Sequence, residues 1–138
     1  MPAAVVVAVT RPGRRPCARI LHTARGPEDP RLGRPRDARE LGDWLGRRLA
    51  GILARVDLER AIVAGGDTSA AAVRRLRVRA LEAIAASAPG SPICRVHAPG
   101  APVHGLELVL KGGQVGPRSY YVDTTTGGVS APIGEESG

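Results

Sequence analysis

The chain has 138 residues, the length of one domain, and 43% of them are hydrophobic but only 2% aromatic, so any core must be aliphatic and alanine-rich. Its net charge is +7, yet of 20 basic residues only Lys111 is a lysine, and no aromatics interleave with the arginines to stack bases; a solvated Arg-rich surface is favoured over a nucleic-acid footprint. Cys17 and Cys94 have no CxxC spacing, which fits a reducing cytoplasm and no disulfide framework, and the first apolar run is too short to span a membrane.

Val5 to Val9 is a β-branched run that predicts a strand, broken by RPGRRP. ARILHT, residues 18–23, is a second strand candidate, and ARGPEDPRLGRPRD is loop. From Asp37 onward, Leu41, Trp44, Leu45, Leu49, Ile52, Leu53 and Val56 recur on one face of a 3.6-residue repeat, which predicts a helix. Asp37 with Glu40 three residues on resembles a capping pair at its start. Gly42, Gly46 and Gly51 weaken its propensity, so packing must hold it.

RAIVAGG then reads as a strand with an abrupt end. TSAAAVRRL reads as a helix with Thr68 or Ser69 near its N-cap. RALEAIAASAPGSPICRV gives a strand, a Pro-Gly loop and another strand. GLELVLKGGQVG, residues 105–116, is a strand running into a second glycine-rich turn. Residues 127–138 are small and polar and are expected as a flexible tail. Together these elements predict an α/β fold: one layered domain over residues 1–126, a mixed sheet flanked by helices, with glycine-rich loops at strand ends.

Two of those strand ends carry the chemistry. At Gly65-Gly66-Asp67-Thr68-Ser69 a strand, a glycine turn and a helix start come together. Glycines let backbone N–H groups approach a ligand, and the helix start leaves unsatisfied donors at the positive end of its dipole. Thr68 and Ser69 add hydroxyls, and Asp67 suits a water-bridged Mg²⁺ or a cap. A plain turn capped by Asp or Thr reads the same residues equally well, since the pattern is neither GxGxxG nor GxxxxGK[ST]. Lys111-Gly112-Gly113-Gln114-Val115-Gly116 also follows a strand, and Lys111 beside two glycines is a point charge for a phosphate. His22, His97 and His104 have no metal-site spacing. Cys94 reads as a small buried hydrophobe, and Ser69 has no neighbouring base.

VAGGDTSAAAVRRL, APGSPICRV and LELVLKGGQVG, in that order, resemble the C-terminal nucleotide-binding domain of the four-carbon acid sugar kinase family, bacterial ATP-dependent kinases of threonate, erythronate and 3-oxo-tetronate type. HTARGPEDP, residues 22–30, is similar to the loop before the long helix in that family. The resemblance covers roughly residues 22–121. It implies an ATP-binding loop at Gly65, Gly66, Asp67 and Thr68, with Gly113 approaching from the second loop, Lys111 and Gln114 beside it, and Gly90 lining the same cleft. ATP with Mg²⁺ is the implied cofactor.

The departures from the family are equally specific. The family's larger N-terminal domain carries a DDxTG motif; this chain has no Asp-Asp pair, and DTTTG at Asp123 is a look-alike at the wrong end. MPAAVVVAVTRPGRRP replaces the family's Gly-Ser strand and helix. Arg118-Ser119-Tyr120-Tyr121 replaces an Asp before an aromatic. The expectation is therefore a nucleotide half without its acid-binding half and with no catalytic residue of its own. Turnover would depend on a partner chain, and the Trp44 stripe is either core or a docking face for that partner or a second copy. Two readings of another class stay open. One is a non-catalytic remnant or interaction module; the other, carried by charge alone, is a nucleic-acid binder whose affinity would fall steeply with salt.

Overall fold

The computed structural model describes residues 5–9, 18–22, 37–112, 116–126 and 130–132. Among them, the strands are β1 (Val5–Val9), β2 (Ala18–His22), β3 (Arg60–Ala64), β4 (Ala80–Ala88), β5 (Ser91–His97), β6 (Glu107–Lys111) and β7 (Ser130–Pro132). The helices are α1 (Ala38–Leu53), α2 (Gly66–Arg75) and α3 (Tyr120–Thr126). The strands form a single mixed sheet in the order β2-β1-β3-β6-β5-β4-β7. β3 and β6 run parallel; every other neighbouring pair is antiparallel.

Alternation along the two central strands divides the core between the two faces of the sheet. Ala61, Val63 and Leu108 face one way, into a cluster with Leu45 and Leu49 of α1, Ala72 and Leu76 near α2, and Val96 of β5. Ile62 and Val109 face the other way and meet Ala88, Ile93 and Tyr120 of α3. The sheet is thus covered by α1 and α2 on one side and by the short α3 on the other.

α1 starts as its sequence predicts: the Arg39 backbone N–H donates to the Asp37 carboxylate at 3.0 Å. Its glycines mark how closely it lies on α2. A Cβ on Gly42 would stand 2.4 Å from the Ala71 Cβ and 3.1 Å from the Thr68 carbonyl oxygen; one on Gly46 would stand 2.7 Å from the Arg75 Cβ. Two helices meet here through a seam of glycine and alanine, so backbone contact supplies the dispersion that larger side chains supply elsewhere. Trp44 packs at the margin of this core, with the Arg48 guanidinium 5.3 Å from its ring centroid.

The structure departs from expectation in three places. α2 begins at Gly66, and its N-cap is Gly65 (φ 107°) with no side-chain cap, instead of Thr68 or Ser69. Gly65 can turn the chain directly after the strand because it lacks a Cβ, so the helix starts sooner and both hydroxyl residues fall inside it as buried residues. Ser130–Pro132, inside the stretch expected as a tail, pairs with β4. α3 was not anticipated, since its β-branched threonines have poor helix propensity; the Thr124 hydroxyl donates back to the Tyr120 carbonyl at 2.6 Å and Tyr120 anchors it in the core.

Gly42→Ala should destabilise the domain by about 1–3 kcal/mol through overpacking. Gly51→Ala, whose Cβ would meet nothing within 4 Å, should stabilise it by about 0.5–1 kcal/mol through helix propensity. Urea denaturation of both variants checks the pair, and equal effects would refute the close seam.

Candidate functional site

The parallel β3–β6 pair decides where the Gly65-Gly66 turn and the end of β6 lie. Ala64 is paired with Lys111, and one residue on, the Gly65 N–H donates to the Lys111 carbonyl at 2.9 Å. Both chains leave the sheet at the same edge, so the start of α2 and the chain after Lys111 emerge side by side. β5 is antiparallel to β6, with Ile93 opposite Val109. Counting on two residues brings Ser91, and with it the Pro89–Gly90 turn, to the level of Lys111.

The register is secured at the other end of the same pair. The Arg60 Nε donates to the Glu107 carboxylate at 2.7 Å, and the Arg60 Nη1 donates to the Thr124 carbonyl near the end of α3. Both side chains of the ion pair are mostly buried, at 13% and 19% exposure. A shielded, multiply bonded pair of this kind is costly to break from one side.

At the loop edge, Gly66 and Asp67 are exposed in the first turn of α2, while Gly65 and Thr68 are buried. The helix's first intrahelical bond runs from the Ser69 N–H to the Gly65 carbonyl at 2.8 Å. The N–H groups of Gly66, Asp67 and Thr68 thus have no acceptor within the helix, and they point out at its positive end. The Ser69 hydroxyl donates inward to the Val63 carbonyl at 3.2 Å, so it braces the turn. Thr68 is mostly buried, at 6% exposure, and its backbone N–H is one of the three outward amides of this turn. Asp67 lines an open depression with Asp37, Arg39, Ala70 and Arg74.

Lys111 is 7% exposed. Its Nζ donates to the Gly112 carbonyl at 3.1 Å and lies 5.2 and 5.7 Å from the ring centroids of Tyr120 and Tyr121. Burial pulls this ammonium below the ordinary lysine range, and it pushes the Tyr121 phenol up, with Tyr120 adding to that rise. Gly113 and Gln114, expected in the second loop, lie outside the described residues, as do residues 23–30 of the HTARG stretch. Among the described residues no group of three or more His, Cys, Asp or Glu is placed to hold a metal. The half-buried Cys94 thiol is pushed up by desolvation, in keeping with a packing role.

Sequence reasoning missed Tyr120, Ser87, Ser91 and Gly116. A Cβ on Gly116 (φ 91°) would stand 2.4 Å from the Tyr120 Cδ2, so the last glycine of KGGQVG seats this ring. The available signal was compositional: both tyrosines of an aromatic-poor chain follow that loop directly.

A strand-end glycine turn that opens a helix leaves outward backbone amides of the kind that receive anions, and residues 3–120 match the family described as the nucleotide-binding C-terminal domain. The chain belongs to that family. A 3-oxo-isoapionate kinase of Paraburkholderia graminis is 35% identical to this nucleotide-binding domain over 129 residues, covering 85% of the chain and 27% of the kinase. This supports the C-terminal domain of the four-carbon acid sugar kinase family, as the three sequence motifs implied. Two crystal forms of a Bordetella bronchiseptica domain of unknown function, a domain-swapped dimer with bound citrate, share the fold. Their TM-scores are 0.58 and 0.60 at 21% and 20% identity, over 67% and 68% of this chain and 23% of theirs. The nucleotide-binding domain thus spans about a quarter of the length of each relative. No helix among its described residues is long and apolar enough to cross a membrane.

Arg60→Ala should cost about 2–3 kcal/mol, because it strands the Glu107 carboxylate and the Thr124 carbonyl together. Chemical denaturation reads the loss, and a change near zero would remove the ion pair from its place as the lock on the register.

Proposed function

We propose that this domain holds ATP as the phosphoryl donor of a kinase that acts on a hydroxyl of a small sugar acid, the acid being bound by a separate domain. The observation that carries the reading is the hydrogen bond from Gly65 to Lys111, which sets the amide-rich start of α2 beside a buried lysine. Phosphoryl transfer asks a protein mainly to position groups and neutralise charge. In this reading the amides of Gly66, Asp67 and Thr68 receive phosphate oxygens, Lys111 acts as a desolvated point charge, and Gly90 and Gly113 let backbone approach the nucleotide, with Gln114 beside them. ATP in a cytoplasmic kinase is also what the resemblance implies, and the relative named as a kinase supports it.

Mg²⁺, when bound, would supply positive charge to offset that of the phosphates. Asp67, exposed in the first turn of α2, would hold it through water, with Asp37 across the same depression. One or two carboxylates beside a phosphate site suit an ion that keeps most of its waters. With no acid-binding residues assigned in this chain, turnover by the chain alone is expected to be negligible and to need the acid-binding domain.

Calorimetric titration of the purified chain with ATP and Mg²⁺ should show saturable binding. Gly66→Val should abolish it with the fold intact, because a Cβ at Gly66 meets nothing within 4 Å in the protein yet fills the approach to the amides. Binding unchanged by Gly66→Val would overturn the site. Failure of a well-folded chain to bind ATP would favour the interaction-module reading instead.

The affinity should also depend on pH. Burial favours neutral Lys111 in the free domain, so the charge that holds phosphate disappears as pH rises through a value below the ordinary lysine range. ATP affinity should therefore fall over that window, and Lys111→Arg, which stays charged, should flatten the profile. Titration across alkaline pH checks this, and a flat wild-type profile would exclude Lys111 from the phosphate site.

A further inference from the structure

We infer that Tyr120 is a positioning residue for Lys111: a hydroxyl cluster formed with Ser87 and Ser91 locks the tyrosine ring, and the ring holds the lysine at the loop edge. The inference rests on the reading that Lys111 faces the nucleotide phosphates.

Three observations place the lock. First, β4 carries a bulge. Ala86 is opposite Pro92 and Ala88 is opposite Ser91, so Ser87 is the extra residue released from the ladder. A bulge re-aims a side chain. Here the Ser87 hydroxyl donates to the Ser91 carbonyl at 2.7 Å and lies 3.0 Å from the Tyr120 hydroxyl.

Second, the Tyr120 hydroxyl lies 2.5 Å from the Ser91 Oγ, with Ser91 1% and Tyr120 2% exposed. The two serines flank Pro89 and Gly90, so the cluster ties the β4–β5 turn to α3. Third, the ring is enclosed. Gly116 packs against its edge, Tyr121 meets it edge to face at 5.5 Å, and the Lys111 ammonium lies over it.

A buried lysine has several rotamers to choose among, and each that points away from the loop edge removes its charge from the site. A fixed ring face selects among them at a small cost in entropy, because the ring's own freedom is already spent on the core and the serines. Tyr120 need not touch the nucleotide for this. Its hydroxyl is engaged by Ser87 and Ser91, while Lys111 meets the ring.

Because Lys111 is the chain's only lysine, ¹³C-lysine labelling gives one side-chain signal, and its ring-current displacement reports the stacking directly. In the free wild-type domain that signal should be displaced from the position of an unstructured lysine. Tyr120→Phe keeps the ring and removes the lock, and Ser91→Ala removes the lock from the other side and serves if the first variant fails to fold. Either should move the signal toward the unstructured position and weaken ATP binding about five- to tenfold, the equivalent of one lost hydrogen bond. Val103→Ala, in the core on the opposite face, should lower stability without moving the signal, which separates positioning from mere destabilisation.

An unmoved lysine signal in both folded variants would overturn the lock. A moved signal with unchanged ATP affinity would overturn the positioning role. If the wild-type domain shows the displaced signal but binds no ATP, the nucleotide reading fails and the positioning role falls with it.

Discussion

The pairing of β3 with β6 is the constraint on which the rest of the structure depends. It is the one parallel contact among the described strands, and it lies at the centre of the sheet. Antiparallel neighbours would have sent their following loops to opposite edges. Parallel neighbours send both to one edge, which is why Gly65 and Lys111, far apart in sequence, meet at the hydrogen bond between them. Four buried or half-buried rungs, Ala61–Leu108 to Ala64–Lys111, separate that bond from the Arg60–Glu107 pair, so a charge interaction at the far end holds the register that the loop edge requires. A slip of one residue would also turn Ile62 and Val63 to the wrong faces, so hydrophobic patterning and the ion pair enforce the same alignment.

The two faces of the sheet solve the shortage of aromatic side chains differently. On the α1–α2 face, backbone closeness replaces bulk, and Leu45, Leu49, Val63 and Leu108 fill what remains. The other face spends one of the two tyrosines. Tyr120 buries its ring among Ile62, Ile93 and Val109, and its hydroxyl is satisfied by serines whose strand is bulged to reach it. No buried side-chain polar atom among the described residues lacks a partner, in keeping with the cost of leaving one unmet.

Much of this was legible in the sequence, and the reasons are local. The 3.6-residue stripe from Leu41 to Leu53 identified α1, the β-branched run identified β1, and the Pro-Gly pair placed the turn between β4 and β5. The breaks at Gly65-Gly66 and after Lys111 were legible because each ends an apolar run, though a plain capped turn reads the first of them equally well. The N-cap of α2 was misread because hydroxyl residues cap helices by default, whereas here a left-handed glycine does so and the hydroxyls turn inward. α3 was missed because its stability comes from tertiary contacts: Tyr120 in the core, Arg60 on the Thr124 carbonyl. Local propensity in YYVDTTT points away from a helix. Nothing in the spacing of Ser87 and Ser91 signals a cluster, since a bulge has no sequence period.

The glycine seam has a consequence for the loop edge as well as for the core. Gly42 lies against the Cα and carbonyl oxygen of Thr68, at 3.2 and 3.1 Å from where its Cβ would be, and Thr68 belongs to the first turn of α2. Residue 42 therefore acts as a shim beneath the helix start. Its thickness sets how high the three outward amides stand relative to the end of β6. The absence of a side chain at a position that touches no ligand is, in that sense, part of the focal length of the site.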